Sequence, residues 1–120
     1  MTLPLEISNF FLSMQAGRAG AKALEACFAE NAVYEEPFSG APQKHNGRPE
    51  IMIAMSRGWD PQPMPDMRIQ VDHAEVEGDE IRVRWTCFSP AILGGSGKGL
   101  NRFTIEGGKI TRLVTTLEDT

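Results

Sequence analysis

The residues best suited to chemistry lie in the segment Phe28–Pro37, where a helical pattern gives way to a short strand. Glu36 directly precedes Pro37. Proline holds the residue before it in an extended conformation, so the direction of the Glu36 side chain is restricted. Side chains alternate along a strand, so Tyr34 and Glu36 share one face and Glu35 lies on the other. One carboxylate should face the interior, where it could move a proton, although two solvated glutamates at a strand end are the alternative.

Other kinds of chemistry have less support. His45 and His73 have no second metal ligand at helical or turn spacing, so no metal and no cofactor are predicted. Neither Cys27 nor Cys87 has a base nearby in the sequence, and no Gly-x-Ser-x-Gly turn presents a nucleophilic serine. The glycine run at residues 94–99 lacks P-loop spacing and is interpreted as a flexible hairpin end. The remaining possibilities are proton transfer by a carboxylate and ligand binding without a reaction.

The composition predicts one globular domain over residues 1–120. With 120 residues, of which 41% are hydrophobic, the chain can form a core without disulfides. The formal net charge of -4 argues against nucleic acid as a partner, because phosphate binding needs a basic surface. No apolar run reaches about 18 residues, so no membrane partner is expected. Two separated cysteines and the absence of a leader segment after Met1 predict a cytoplasmic protein with reduced thiols.

Apolar spacing predicts three helices. The first runs from about Pro4 to Gly17, and the second covers Ala19–Phe28. A third begins near Arg48, with Pro49 at an early helical position, and must stop by Asp60. The first two helices are expected to form a hairpin.

Alternation predicts a short strand at Val33–Phe38, a loop at Ser39–Asn46 and a stiff proline-rich loop at Pro61–Pro65. Four further strands are predicted at Met67–Val76, Glu80–Pro90, Leu100–Glu106 and Lys109–Leu117. Glycine-containing turns at Gly78 and Gly107 join them as antiparallel neighbours. The fold class is α+β, with a curved antiparallel sheet around helices and a concave pocket if the helices do not fill it.

Four segments carry a family resemblance: Phe28–Ala32, Glu36-Pro37, Gly47–Met55 and Gly107–Ile110. Together they resemble the nuclear transport factor 2-like superfamily, most closely its SnoaL-like and ketosteroid-isomerase-like branches. The resemblance implies a cone-shaped half barrel, in which a bent sheet wraps three or four helices around a deep apolar pocket, and frequent homodimers. Family members isomerise, cyclise, dehydrate or hydrate small hydrophobic molecules, and others only bind them.

The same resemblance implies roles for individual polar residues. Glu36 matches the carboxylate that moves a proton next to a carbonyl in the steroid isomerase branch. That branch stabilises the developing oxyanion with a helix-one tyrosine and a strand aspartate, where this chain has Phe10 or Phe11 and Asn101. Of these only Asn101 can donate a hydrogen bond. Tyr34 could replace the missing donor, provided that its hydroxyl reaches the pocket.

A set of apolar side chains would contact a substrate in the cavity or simply pack the core. By alternation and the family register Phe103 and Leu113 face the cavity, and side chains of the first and third helices close it. The full set is Phe10, Met14, Met55, Trp59, Phe103, Leu113 and, on a strand whose inner face is undecided, Trp85. His45 is placed near the mouth of the pocket, as a second acid or as an ordinary surface histidine.

The sequence pattern does not decide which face of the strand at residues 80–90 points inward. An inward Arg84 would need a carboxylate, because an unpaired buried guanidinium is too costly, and Glu36 would be its partner. That pairing would stabilise the ionised carboxylate and weaken it as a base. Burial against Phe10 and Trp59 would have the opposite effect.

The predicted function is a small isomerase, cyclase or lyase that moves a proton on a hydrophobic carbonyl compound, with Glu36 as general base. Two alternatives remain. One is a non-catalytic module that binds a small hydrophobic ligand, and the other is an interaction domain whose outer sheet face pairs with a second copy or another chain.

Overall fold

Helices come mainly first in the chain and strands last. The structure, a computed structural model, describes residues 3–38, 40–59 and 66–118. Its helices are α1 (Leu5–Gln15), α2 (Ala21–Cys27) and α3 (Arg48–Ser56), with a short 3-10 turn at Gly17–Gly20 between α1 and α2. Among the described residues, no helix is long and apolar enough to cross a membrane. The predicted proline-rich loop lies outside these residues.

Within the described residues, six strands form one sheet. They are β1 (Phe28–Glu36), β2 (Gln43–Asn46), β3 (Arg68–Glu77), β4 (Glu80–Phe88), β5 (Ser96–Glu106) and β6 (Lys109–Glu118). Their order is β2-β1-β6-β5-β4-β3, and the sheet is curved and does not close. This confirms the α+β class and the cone.

The sheet is mixed, although a wholly antiparallel one was predicted. Strands β3 to β6 are joined as antiparallel neighbours, and so are β1 and β2. Strand β1 pairs with β6 in parallel, with Tyr34 opposite Leu113. A parallel pair requires a long crossover connection, and here that connection is β2, α3 and the whole β3–β5 segment.

Several boundaries also differ from the sequence-based expectation. The second helix ends at Cys27, and Phe28 already has the extended backbone that opens β1. Residues 43–46, predicted to be loop, form β2 because they pair with β1. Trp59 lies in the turn after α3 and not on the helix. Part of the glycine run, from Ser96 onward, belongs to β5.

An aromatic cluster joins α1 to the inner face of the sheet. The ring of Phe10 packs edge to face against Phe11, Phe28 and Phe103, with centroids 5.2, 6.1 and 5.3 Å apart. All four side chains are buried. Edge-to-face packing adds to the hydrophobic stabilisation and fixes the position of α1 over the sheet.

Candidate active site

Glu36 is a buried carboxylate at the end of β1, and both of its oxygens are hydrogen-bonded. Oε1 accepts the backbone N–H of Phe38 at 2.7 Å, and Oε2 lies 2.9 Å from Nε2 of His45. Its side chain is only 4% exposed. Glu35 lies on the other face and pairs with Arg112 at 3.1 Å. The alternation of β1, with the following proline, therefore gives one carboxylate an interior position and a fixed direction.

His45 is the partner of Glu36, a pairing that sequence reasoning missed. It lies on β2 opposite Tyr34, with the two ring centroids 5.9 Å apart. Beside an ionised Glu36 carboxylate, which can only accept hydrogen bonds, Nε2 of His45 is the donor. No local pattern fixes this pairing, because it depends on β2 lying beside β1, where His45 opposite Tyr34 shares the face of Tyr34 and Glu36.

A second set of polar side chains lies on the inner face and is hydrogen-bonded across β4, β5 and β6. Asn101 Oδ1 lies 3.0 Å from Trp85 Nε1 and 2.8 Å from Thr115 Oγ1. Tyr34 on β1 lies opposite Leu113, which is two residues from Thr115 on β6. Burial, together with the nearby charge of Glu36, raises the pKa of Tyr34, while the nearby Thr115 hydroxyl lowers it in part. Tyr34 is therefore a neutral phenol at physiological pH.

The strand register places these groups in one row. Glu35 lies opposite Val114 in the parallel β1–β6 pair, so extending that register by one residue brings Glu36 beside Thr115. Thr115 in turn lies opposite Asn101 on β5. Neighbouring strands are about 5 Å apart, so the backbones of Glu36 and Asn101 are about 10 Å apart with Thr115 between them. The three predicted polar site residues, Glu36, Tyr34 and Asn101, thus share one region of the inner face.

The predicted pocket walls all belong to the apolar core. Phe10, Met55, Trp59, Trp85, Phe103 and Leu113 are buried, and Met14 is half-buried against them. One groove along the described residues has a volume of about 660 Å³ and lies beside α1 and α2, and another has a volume of about 290 Å³ and lies beside α2 and α3. Neither is lined by Glu36 or Asn101. An interior pocket around the polar row therefore stays a prediction.

Arg84 points away from Glu36, and this shows which face of β4 is the inner one. Its side chain is 51% exposed and bonds Glu118 on β6. Val83 and Trp85 are buried. The face of β4 that carries Val83 and Trp85 is therefore the inner one, and the pairing of Arg84 with Glu36 does not occur.

Replacing Arg84 should have little effect on stability. Exposed ion pairs contribute between zero and about 1 kcal/mol, because solvent screens them. We expect Arg84→Gln to lower the free energy of unfolding, measured by urea denaturation, by less than about 1 kcal/mol. A loss of several kcal/mol would contradict the exposed position of this side chain.

No grouping of three or more His, Cys, Asp or Glu side chains that could hold a metal ion occurs within residues 3–38, 40–59 and 66–118. What the inner face offers is a carboxylate held in a fixed direction by His45 and Phe38, and a row of neutral donors and acceptors. Such a combination can accept a proton and hydrogen-bond a polar ligand atom.

Comparisons with known proteins agree with this architecture. Residues 8–113 match the family model of the SnoaL-like domain. A candidate polyketide cyclase from Sinorhizobium meliloti is similar in structure, with a TM-score of 0.78, 23% identity and 95% of each chain covered. A candidate ketosteroid isomerase from Kribbella flavida gives a TM-score of 0.73 at 15% identity, over 96% of this chain and 76% of the other.

An LEH-like epoxide hydrolase from M. tuberculosis is also similar, with a TM-score of 0.71 at 15% identity over 94% of this chain and 80% of the other. At these identities the likeness establishes a shared fold and leaves the reaction open. No curated protein matches the sequence.

Proposed function

Because the chain belongs to the SnoaL-like domain family, we propose that it is a cofactor-independent enzyme that isomerises or cyclises a small hydrophobic carbonyl compound by proton transfer. The observation that carries this proposal is the buried carboxylate of Glu36, held by His45 and the Phe38 amide. The similarity in fold to a candidate cyclase and a candidate isomerase supports the same class of reaction.

Glu36 is proposed to act as the general base. A carboxylate has about four lone-pair directions, and the two described hydrogen bonds leave room for a proton on either oxygen. It would take the proton from the carbon next to the carbonyl, and the electron pair of the broken C–H bond would move onto the carbonyl oxygen to give an enolate. The protonated Glu36 would then return the proton to another carbon. In a cyclisation, the enolate carbon would instead attack a second carbonyl, the π electrons of that carbonyl would move to its oxygen, and the resulting alkoxide would take the proton from Glu36.

Asn101 is proposed to stabilise the enolate oxygen through its side-chain N–H. Hydrogen-bond donors aimed at a developing oxyanion stabilise the transition state more than the ground state. The equivalent donor from α1 is missing, since Phe10 and Phe11 at that place lie in the aromatic cluster. One donor in place of two favours substrates whose enolates are already stabilised, such as 1,3-dicarbonyl compounds.

The apolar body of the substrate would contact the inward side chains around this row. Trp85 and Leu113 are adjacent to it in the strand register, and Phe103 lies two residues from Asn101 on the same face. An apolar pocket between these side chains and a homodimeric assembly are part of the proposal.

Hydrogen exchange on ketones in D₂O tests the proposal without knowledge of the natural substrate. A panel of 1,3-diketones, aryl ketones and unsaturated cyclic ketones is incubated with the protein, and loss of the α-hydrogen signals is followed by ¹H NMR. We expect exchange of at least one compound to be faster than in buffer or with heat-unfolded protein. A rate equal to that of buffer for every compound would contradict the proposal.

A non-catalytic binding module is the second candidate. It is favoured by the state of Glu36, since both carboxylate oxygens already have hydrogen-bond partners. A ketone that shifts the backbone NMR signals around Glu36 and Asn101 without losing its α-hydrogens would identify this function.

A further inference from the structure

The side-chain amide of Asn101 has a defined orientation. Its amide oxygen is identified by Trp85, because an indole N–H can only donate and the amide atom 3.0 Å away must therefore accept. Thr115 Oγ1 donates to the same oxygen at 2.8 Å. With the oxygen held by two donors from neighbouring strands, the NH₂ group of Asn101 is directed away from Trp85 and Thr115.

The NH₂ group of Asn101 has no partner among the described residues, although the residue is only 5% exposed. In the same part of the chain, every completely buried side-chain nitrogen or oxygen atom has a partner. The nitrogen therefore borders a space that a water molecule can enter. Buried amide groups are nearly always satisfied, so an oriented donor left open in the interior indicates an acceptor supplied from outside.

We propose that Trp85 and Thr115 are positioning residues that hold Asn101 so that its Nδ2 donates to the oxygen of a carbonyl or phenolic ligand. The inference rests on the proposed function and names the residues that prepare its oxyanion donor. A donor oriented before binding needs no reorganisation when charge develops on the ligand oxygen. Without these contacts the amide could rotate and present its oxygen, which would repel an enolate.

The test uses Thr115→Val, which removes the hydroxyl at nearly constant volume, and Trp85→Phe, which removes the indole N–H. Thr115→Ser keeps the hydroxyl and serves as rescue, and Thr116→Val is the matched control on the exposed face of β6. Two readouts are taken from each variant. The first is the pair of side-chain amide NMR signals of Asn101, assigned by their absence in Asn101→Asp, and the second is the affinity for 2-naphthol as an enol mimic.

We expect Thr115→Val and Trp85→Phe to shift or broaden the Asn101 amide signals in the free protein. Affinity for 2-naphthol should fall about tenfold, as for the loss of one hydrogen bond. The affinities of Thr115→Ser and Thr116→Val for 2-naphthol should lie within about twofold of the wild-type affinity. That change is smaller than the effect of losing one hydrogen bond. Unchanged amide signals in both network variants, equal weakening by Thr116→Val, or no binding of 2-naphthol by the wild-type protein would each overturn the inference.

The outcome is separable from that of the proposed function. If no ketone exchanges its α-hydrogens but Thr115→Val still weakens 2-naphthol binding, the positioning role stands and catalysis fails. If ketones exchange and the network variants behave as wild type, the positioning role fails and catalysis stands.

Discussion

Glu36→Gln is expected to slow the protein-dependent exchange of ketone α-hydrogens about 10²- to 10⁴-fold, the usual contribution of a positioned general base. Glutamine has almost the same shape and keeps an acceptor oxygen for the Phe38 N–H, but it cannot take up a proton at neutral pH. The loss should therefore appear in the rate of the bound ketone more than in its affinity. The measurement is ¹H NMR of the ketone in D₂O at several ketone concentrations.

Glu35→Gln is the matched control for this prediction. The same substitution is made one residue earlier, on the outer face, where the carboxylate pairs with Arg112. Exchange should remain within about twofold of wild type, because this carboxylate does not reach the inner face and its ion pair contributes at most about 1 kcal/mol to stability. Equal loss in both variants would point to a general effect of charge, and no loss in Glu36→Gln would exclude Glu36 as the base.

Gly99→Ala is expected to give the largest loss of stability among the substitutions considered. A Cβ at this position would lie 2.2 Å from Cζ2, 2.6 Å from Cη2 and 2.7 Å from Cε2 of Trp85. The indole would have to leave its place over β5 and with it the bond to Asn101. We expect the free energy of unfolding, measured with guanidinium chloride, to fall by about 3 kcal/mol, at the upper end of the usual range for overpacked cores.

Gly97→Ala controls for the change from glycine to alanine itself. It lies on the same strand, and its added Cβ would meet only Ile92 Cγ2, at an ordinary contact distance of 3.9 Å. The gain from reduced freedom of the unfolded chain is the same at both positions. The free energy of unfolding of Gly97→Ala should therefore lie within about 1 kcal/mol of the wild-type value. Similar effects at the two glycines would show that the contact with Trp85 does not determine the loss.

Features encoded over a few neighbouring residues were predictable from the sequence. The helix before Gly17, the helix begun by Pro49 and the hairpins at Gly78 and Gly107 follow from local periodicity and turn geometry. The interior direction of Glu36 followed from alternation and the proline after it.

Features that depend on distant pairing were not predictable in the same way. Strand β2 has only four residues, all polar, and becomes a strand because β1 lies beside it. The direction of Arg84 depends on Glu118, which is 34 residues away. The orientation of the Asn101 amide depends on donors from β4 and β6, so no local pattern around Asn101 could reveal it.

The parallel pairing of β1 with β6 also bears on how the protein folds. Strands β3 to β6 can form step by step from neighbouring hairpins, and β1 and β2 can form a hairpin of their own. Among the described residues, the two units pair through β1 and β6, whose partners Tyr34 and Leu113 are far apart in sequence. Closing so long a loop is entropically unfavourable and makes such contacts slow to form. Since Glu36 and Tyr34 reach Thr115 and Asn101 through this pair, we expect the site to appear late in folding, together with the final cooperative step.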